Sequence, residues 1–457
     1  MPTIKLENAS WAVTVDESRR IVKNCSIMID DGIVTEIDKA EKLRSLGAEH
    51  VIDGRDTVVT PGFVNCHMHI NYSHIVRGIF PDDLPQQEYL RQVFRLKEEM
   101  TPEEEYYTSL LAVAELLLNG CTTILEPGLV NSLEDVVRAI EISGIRAVVG
   151  RSFFDRENPL TERVVDERAA ARITESTIAE YDGKLGGRIR AWAMPFSPDY
   201  CSVESILRTK EIAESRRVGM TTHVANSEAS SEAFRASHGL RPVEFLHKHG
   251  ALSPSVLLSH CVSVDEHELD GIAAGHSKVV HCPSVAIRAT GVTRVGKFPE
   301  MLERGIPVGL GSDAANSSYY LDPIRIMYLA SVLFKEARGD RRIIPPETAV
   351  EMATINGARC ILQGDAIGSI QVGKRADLTI MDTRRPEWRS LTNPLNNLVY
   401  SADGRCVRDV IVDGRIVVKN GRVTSFEVEE VLDKLQALGE SFLERVRVNF
   451  GSRWPVL

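Results

Sequence analysis

The sequence predicts an α/β protein in which a (β/α)8 TIM barrel carries a small β-sandwich domain built from both chain ends. Three observations predict it. Between Pro61 and about Leu362, brief apolar runs alternate with helical periods roughly eight times, which implies a parallel sheet, and eight such units close most economically into a barrel. Both ends of the chain show short strand-like runs and tight turns instead. Four histidines and one aspartate each stand behind an apolar strand-like run, and a barrel gathers side chains at that end of its strands.

The elements follow in order. Ile4–Leu6, Ala12–Val15, Cys25–Ile29 and Val34–Ile37 read as strands, the last two joined by Asp30-Asp31-Gly32, whose Asp-Gly step favours a tight hairpin. The strand–helix alternation then runs through Val58 and Val59, Cys121–Leu125 with a helix at Leu133–Ile142, and Ala147–Val149 with a helix near Ala169–Tyr181. It continues through Ile189–Ala193 with a helix at Ser202–Ser215, then Met220–His223, Ala251–His260, Val279–Cys282 and Val308–Ser312. Strands return over Ala366–Asp382, and Asp413-Gly414 forms a second hairpin between Asp409–Val412 and Arg415–Val418. From Val428 to about Val446, Val428, Val431, Leu432, Leu435, Leu438, Phe442 and Val446 fall on one helical stripe suited to core or subunit contact. The expected domains are a discontinuous sandwich from 1–60 and 364–425, a barrel from 61–363, and a terminal helix in 426–457.

Composition excludes some partners. The chain has 457 residues, 43% hydrophobic and 26% charged, and its 54 basic and 64 acidic residues give a formal net charge of −10. With no basic run, nucleic acid and anionic membrane are poor partners, and a small-molecule substrate fits better. The eight cysteines form no CxxC pair and the amino terminus shows no apolar signal core, so a reduced cytoplasm is expected. No apolar run reaches the roughly 18 residues of a membrane helix.

The most informative stretch is Pro61-Gly62-Phe63-Val64-Asn65-Cys66-His67-Met68-His69. Alternate residues of a strand share a face, so His67 and His69 place two imidazoles side by side. Thr221-Thr222-His223, Leu257-Leu258-Ser259-His260 and Val308-Gly309-Leu310-Gly311-Ser312-Asp313 each add a ligand type at a strand end. Four imidazoles and one carboxylate suit zinc or another borderline divalent cation. Glu126 ends another strand at the expected barrel mouth and can orient a ligand histidine or face the substrate. His74 and Arg77, with the Asp82-Asp83 loop, are expected to wall the pocket, whereas His281 reads as structural.

These residues resemble a family. PGFVNCHMH, TTHVANSE, LLSHCVSVDEHEL, VVHCPS, GLGSDAANSS and AIGSIQVGKRADLTIMD occur in the order of the amidohydrolase superfamily over nearly the whole chain. The nearest branch holds atrazine chlorohydrolase, methylthioadenosine/S-adenosylhomocysteine deaminase and guanine deaminase, and Arg151-Ser152-Phe153-Phe154-Asp155-Arg156 is similar to the chlorohydrolase in particular. The resemblance implies a distorted barrel and one divalent metal per chain, zinc first and iron, manganese or cobalt as alternatives, held by His67, His69, His223 and Asp313. It implies that His260 stands beside the bound water or substrate. Ala147-Val148-Val149-Gly150-Arg151 lacks the lysine that would bridge two metals, which favours a mononuclear site. A homo-oligomer is the expected assembly.

Two segments depart from the branch. Its His-x-x-Glu, whose glutamate shuttles protons to a ring nitrogen, reads His223-Val224-Ala225-Asn226 here, and an amide takes no proton. Glu228 follows two residues later and is expected to point elsewhere. After His281-Cys282-Pro283-Ser284, Val285 replaces the usual asparagine. The catalytic expectation is therefore Asp313 as base and then acid, with His260 donating to the substrate. Asn226, His260, Glu126 and Arg77 are the expected substrate-side residues. Attack on a free carbonyl needs no ring protonation, so a urea, carbamate, thiocarbamate or amide is the first expected substrate, as for the superfamily members phenylurea hydrolase and molinate hydrolase. The alternatives are a deaminase or dechlorinase of an aminoheterocycle such as a purine, pterin or s-triazine, and a metal-binding barrel without catalysis.

Overall fold

A computed structural model describes residues 2–289, 291–448, 451 and 454. The two ends of the chain share one nine-stranded sheet. Its path runs Arg422–Val423, Arg415–Lys419, Val407–Val412, Leu378–Asp382, Thr57–Pro61, Ile4–Val13, Ile21–Asp30 and Ile33–Lys39, with His50–Asp53 alongside Ile4–Val13. Leu378 pairs with Pro61 and Asp382 with Thr57 in an antiparallel ladder, and that ladder joins the two ends. The sheet has its own apolar core, including Ile4, Leu6, Ile27, Val59, Ile380 and Ile411.

Both expected Asp-Gly hairpins form. Asp31 and Gly32 have φ of 46° and 75°, Asp413 and Gly414 54° and 73°, the pair of positive angles that matches a tight turn to the twist of its strands. Ile4–Leu6 and Ala12–Val15 merge into a single strand, Ile4–Val13, because a bulge at Asn8 (φ 61°) absorbs the irregularity between Leu6 and Ala9.

Between these ends lie parallel strands, numbered here in chain order. β1 (Phe63–Asn65), β2 (Cys121–Leu125), β3 (Arg146–Val149) and β4 (Ile189–Ala191) form one sheet in the order β4-β3-β2-β1. β5 (Met220–Val224), β6 (Val256–His260), β7 (Lys278–His281) and β8 (Val308–Leu310) form another in sequence order. Short continuations of β3 and β4, Ser152–Phe153 and Met194–Pro195, pair with each other. Backbone hydrogen bonds also cross between the sheets: Cys66 N donates to Leu310 O (2.8 Å), Thr221 N to Ala193 O (3.0 Å) and His223 N to Phe196 O (2.9 Å). Nearly every residue of these strands is buried, as expected where helices cover parallel strands on both faces. β6 is shorter than the expected 251–260 because Ser253-Pro254 turns the chain, with Val256 N donating to Ser253 O.

The helices start where short polar side chains can cap them. Ser132, Asp166 and Ser202 each accept from a backbone N–H of Leu133–Ser143, Glu167–Tyr181 and Val203–Ser215, all three close to the expected spans. The terminal helix is Val428–Val446, with Val431, Leu435 and Phe442 buried. Leu432, expected on that stripe, is 49% exposed. The narrower buried stripe lies against Pro102–Leu118, where Arg445 pairs with Glu104 at 2.7 Å. Among the described residues no helix is long and apolar enough to cross a membrane, and all eight cysteines are free and buried.

Candidate active site

The strand ends bring the four histidines and the aspartate together. Asn65, closing β1, holds two of the segments in register: its Oδ1 accepts from Ser312 N (3.1 Å) and His67 N (3.3 Å), and its Nδ2 donates to Ser312 Oγ (2.7 Å). Asp313 N then donates to His67 O at 2.8 Å. His67 approaches Ser259 Oγ through Nδ1 at 3.1 Å, and His223 Nδ1 lies 3.1 Å from Phe196 O, which leaves Nε2 of each ring for the interior. His69 Nδ1 faces Glu126 Oε1 at 3.8 Å. Nε2 of His67 and of His69 each lie 3.8 Å from Asp313 Oδ1, and His260 Nε2 lies 3.9 Å from Oδ2.

His67 belongs to two trios, with His223 and His260 and with His69 and Asp313, whose ligand atoms lie within 4.8 Å of one another. Its Nε2 is buried without a hydrogen-bond partner among the described residues, an orphan that a cation would satisfy. Burial drives His67 and His69 well below the usual histidine range and His223 to about 3, so the rings are neutral and their lone pairs free to bind a metal. Burial likewise lowers His260 against the opposing pull of Asp313, and it raises the Asp313 carboxyl. The residues present therefore fit a divalent cation.

Backbone geometry turns these side chains inward. His260 (φ 80°), Asp313 (φ 62°) and Ala225 (φ 53°) adopt the left-handed region just where their strands end. After the kink at Ala225, Asn226 lines the cleft with a buried Oδ1 that has no hydrogen-bond partner among the described residues. Ser227 then caps the helix Glu228–His238. Glu228 opens that helix facing away: its carboxylate accepts from Ser263 Oγ and lies 3.8 Å from Arg241, as the sequence led one to expect.

The cleft over the site has a volume of about 440 Å³ and is lined by His69, His223, His260 and Asp313 at one end and by Phe94, Phe196 and Tyr200 along its wall. Phe196 packs on His223 with ring centroids 4.7 Å apart, so the aromatic wall begins at the histidine cluster. A larger hollow of about 630 Å³ near Gly78–Asp82, Arg288 and Tyr319 contains none of these groups.

Two expected substrate-side residues are elsewhere. Arg77 pairs with Glu115 at 2.7 Å and donates to Tyr319 O, and His74 approaches the same carboxylate at 2.9 Å, so this charged group is spent on packing behind the cleft. Glu126 is wholly buried, accepts from Ile70 N and Gly128 N, and sits behind His69; burial pushes its carboxyl up to about 8. Its place suits orientation of His69, not contact with substrate. His281 is stacked on Phe298 at 3.7 Å in the core, in keeping with a structural reading. Sequence reasoning missed the aromatic wall and Asp199, which also lines the cleft; Ser197-Pro198-Asp199 has the composition of an ordinary turn.

Comparison with known proteins agrees with this geometry. The profile described as "Amidohydrolase family" matches residues 58–417. A 5-methylthioadenosine/S-adenosylhomocysteine deaminase of Syntrophomonas wolfei is 32% identical over 94% of this chain and 97% of its own. A 5'-deoxyadenosine deaminase of Methanosarcina acetivorans is 31% identical over 97% and 99%. Among solved structures, atrazine chlorohydrolase from Arthrobacter aurescens TC1 complexed with zinc superposes with TM-score 0.88 at 22% identity, covering 95% of this chain and 100% of that one. An adenosine deaminase from Xanthomonas campestris with bound zinc gives 0.86 at 23%, covering 97% and 98%. The chain belongs to the amidohydrolase family and is a hydrolase acting on carbon–nitrogen bonds other than peptide bonds.

Proposed function

We propose that the protein hydrolyses an exocyclic C–N bond of an aminoheterocycle, releasing ammonia or a small amine. The observation that carries this is the ring of neutral imidazoles around Asp313 at the end of a cleft walled by flat aromatic side chains, joined to full-length similarity with deaminases of adenine nucleosides. This reading replaces the carbonyl substrates put first on the sequence. It takes the eight parallel strands as one distorted (β/α)8 barrel over residues 61–363, with 1–60 and 364–425 as its sandwich and a terminal segment 426–457 whose helix is Val428–Val446 and whose residues 449, 450, 452, 453 and 455–457 lie outside the described residues.

His67, His69, His223 and Asp313 would hold one divalent cation, zinc first: His67 is grouped with His69 and Asp313 and also with His223 and His260, and the similar chlorohydrolase and adenosine deaminase structures contain zinc. Such an ion supplies Lewis acidity that makes water a nucleophile near neutral pH. Asp313, whose carboxylate oxygens face the histidine cluster at 3.8–3.9 Å, accepts the proton of the attacking water and returns it to the leaving amine. His260, on the cleft wall opposite Asp313 Oδ2, hydrogen-bonds the reacting centre. The Asn226 amide can donate to a ring nitrogen and accept from an amino group, fixing the ring without exchanging a proton. The flat rings of Phe94 and Phe196 offer a stacking surface for a planar substrate.

A second reading, hydrolysis of a urea, carbamate, thiocarbamate or amide, is favoured by Asn226 alone, since those carbonyls need no ring protonation. A substrate panel separates the two. Ammonia or amine release from aminopurines, their nucleosides, pterins or aminotriazines supports the first, and turnover confined to ureas, carbamates and amides overturns it.

A further inference from the structure

Among the described residues, two carboxyl groups line the cleft: Asp313 among the histidines and Asp199 on the aromatic wall. Asp199 sits in the turn between Met194–Pro195 and the helix Val203–Ser215. That turn is firmly built. Tyr200 N and Cys201 N both donate to Ser197 O (3.0 and 2.8 Å), and Asp155 Oδ1 accepts from Ser202 N at 2.6 Å. Ser197 Oγ donates to Asp199 Oδ2 and accepts from Asp199 N at 3.2 Å, which fixes the carboxyl rotamer. Oδ1 has no hydrogen-bond partner, and no lysine or arginine comes within ion-pair distance, among the described residues. Burial raises the Asp199 carboxyl above the ordinary aspartate range, against the opposing hydrogen bond from Ser197. A half-buried carboxyl held rigid in a substrate cleft without a counter-ion retains an unmet demand for a donor.

We infer that Asp199 recognises the substrate, accepting a hydrogen bond from a hydroxyl or amino group on a substituent of the heterocycle. Asp199 directly precedes Tyr200, whose ring stacks at 6.1 Å on Phe196, and Phe196 packs on His223, so the carboxyl is placed along the wall that leads to the histidines. A ring lying on that wall with its amino carbon toward Asp313 would send its substituent past Asp199. The substrate class narrows to aminoheterocycles whose substituent carries a donor, as against purely alkylated ones. This inference rests on the aminoheterocycle reading above.

The test uses the full-length metal-loaded enzyme and matched probes: adenosine against 2',3'-dideoxyadenosine, and 9-(2-aminoethyl)adenine against 9-ethyladenine. Wild type should favour the donor-bearing member of a pair, and Asp199→Asn should raise KM for that member by about 10- to 100-fold, the loss expected for a hydrogen bond to a charged group. The alkyl member should be unaffected, kcat should change by less than about threefold, and Asp199→Glu should recover part of the preference. Unchanged discrimination in Asp199→Asn, with ammonia still released, overturns this assignment alone. A fall in kcat with KM constant overturns it too, because Asp199 would then act in the chemistry. If wild type releases no ammonia from any probe while hydrolysing ureas or carbamates, the aminoheterocycle reading fails and this assignment falls with it.

Discussion

Left-handed backbone serves two regions of this molecule in different ways. In the terminal sheet it falls chiefly on Asp31-Gly32, Asp413-Gly414 and Asn420-Gly421, residues that adopt it at little cost and use it to reverse the chain, though Val15 and Arg19, between Ile4–Val13 and Ile21–Asp30, adopt it as well. At the strand ends it falls on Ala225, His260, Cys261 and Asp313, for which such angles cost about 1–3 kcal/mol each. The sheet uses the conformation mainly to reverse the chain, and the site uses it to aim particular side chains at one point. Substitutions at the site should therefore cost activity more than stability, and substitutions in the sheet the reverse.

The largest effect should come from the imidazoles. His67→Ala or His223→Ala should lose bound metal and activity together, while two equivalents of metal by elemental analysis, both required for turnover, would overturn the mononuclear site. His260→Ala is expected to retain metal and lose turnover by about 10²- to 10⁴-fold; loss of metal in that variant would make His260 a ligand. Asn226→Ala should lower kcat/KM by the equivalent of about 1–3 kcal/mol without moving the pH profile, because an amide has no proton to exchange. In the sheet, Gly414→Ala should lower unfolding stability by about 1–3 kcal/mol and leave kcat/KM alone, because a Cβ there would strike Gly32 and the angle disfavours alanine. The smallest effect is expected for Ala225→Gly, which relieves a left-handed alanine at the price of a freer unfolded chain. Stability should rise by about 0.5 kcal/mol in a denaturant titration while activity falls as Asn226 loosens.

What could be read in advance divides along the same line. Both Asp-Gly hairpins follow from turn chemistry and are legible in sequence, whereas His67 and His69, expected on a strand, lie just beyond β1, which ends at Asn65, with their rings edge to face at 5.1 Å. The Asn420-Gly421 turn carries an equally strong signal that the sequence reading passed over. Arg77 is absent from the cleft lining, and Glu126 stands by His69 and not on the substrate side, because the partners that decide them, Glu115 and the Ile70 and Gly128 amides, are brought in by the fold. Asp199 was hidden in a turn-like tripeptide, and only the packing of the wall shows it facing a cleft. Glu228 could be set aside because a strand end lies just before it; the kink that turns Asn226 inward has no counterpart in alanine's chemistry.

The ladder between Thr57–Pro61 and Leu378–Asp382 bears on the order of assembly. Gly62 N donates to Asp377 O at 2.8 Å, so the strand that delivers His67 and His69 is anchored by residues from the far end of the chain. During synthesis the first two imidazoles emerge early and the strand that clamps their approach emerges late. Such distant pairings are slow to form, because the whole intervening chain must first be gathered in. A nascent chain stopped before Leu378 would hold every histidine and Asp313 yet lack that clamp.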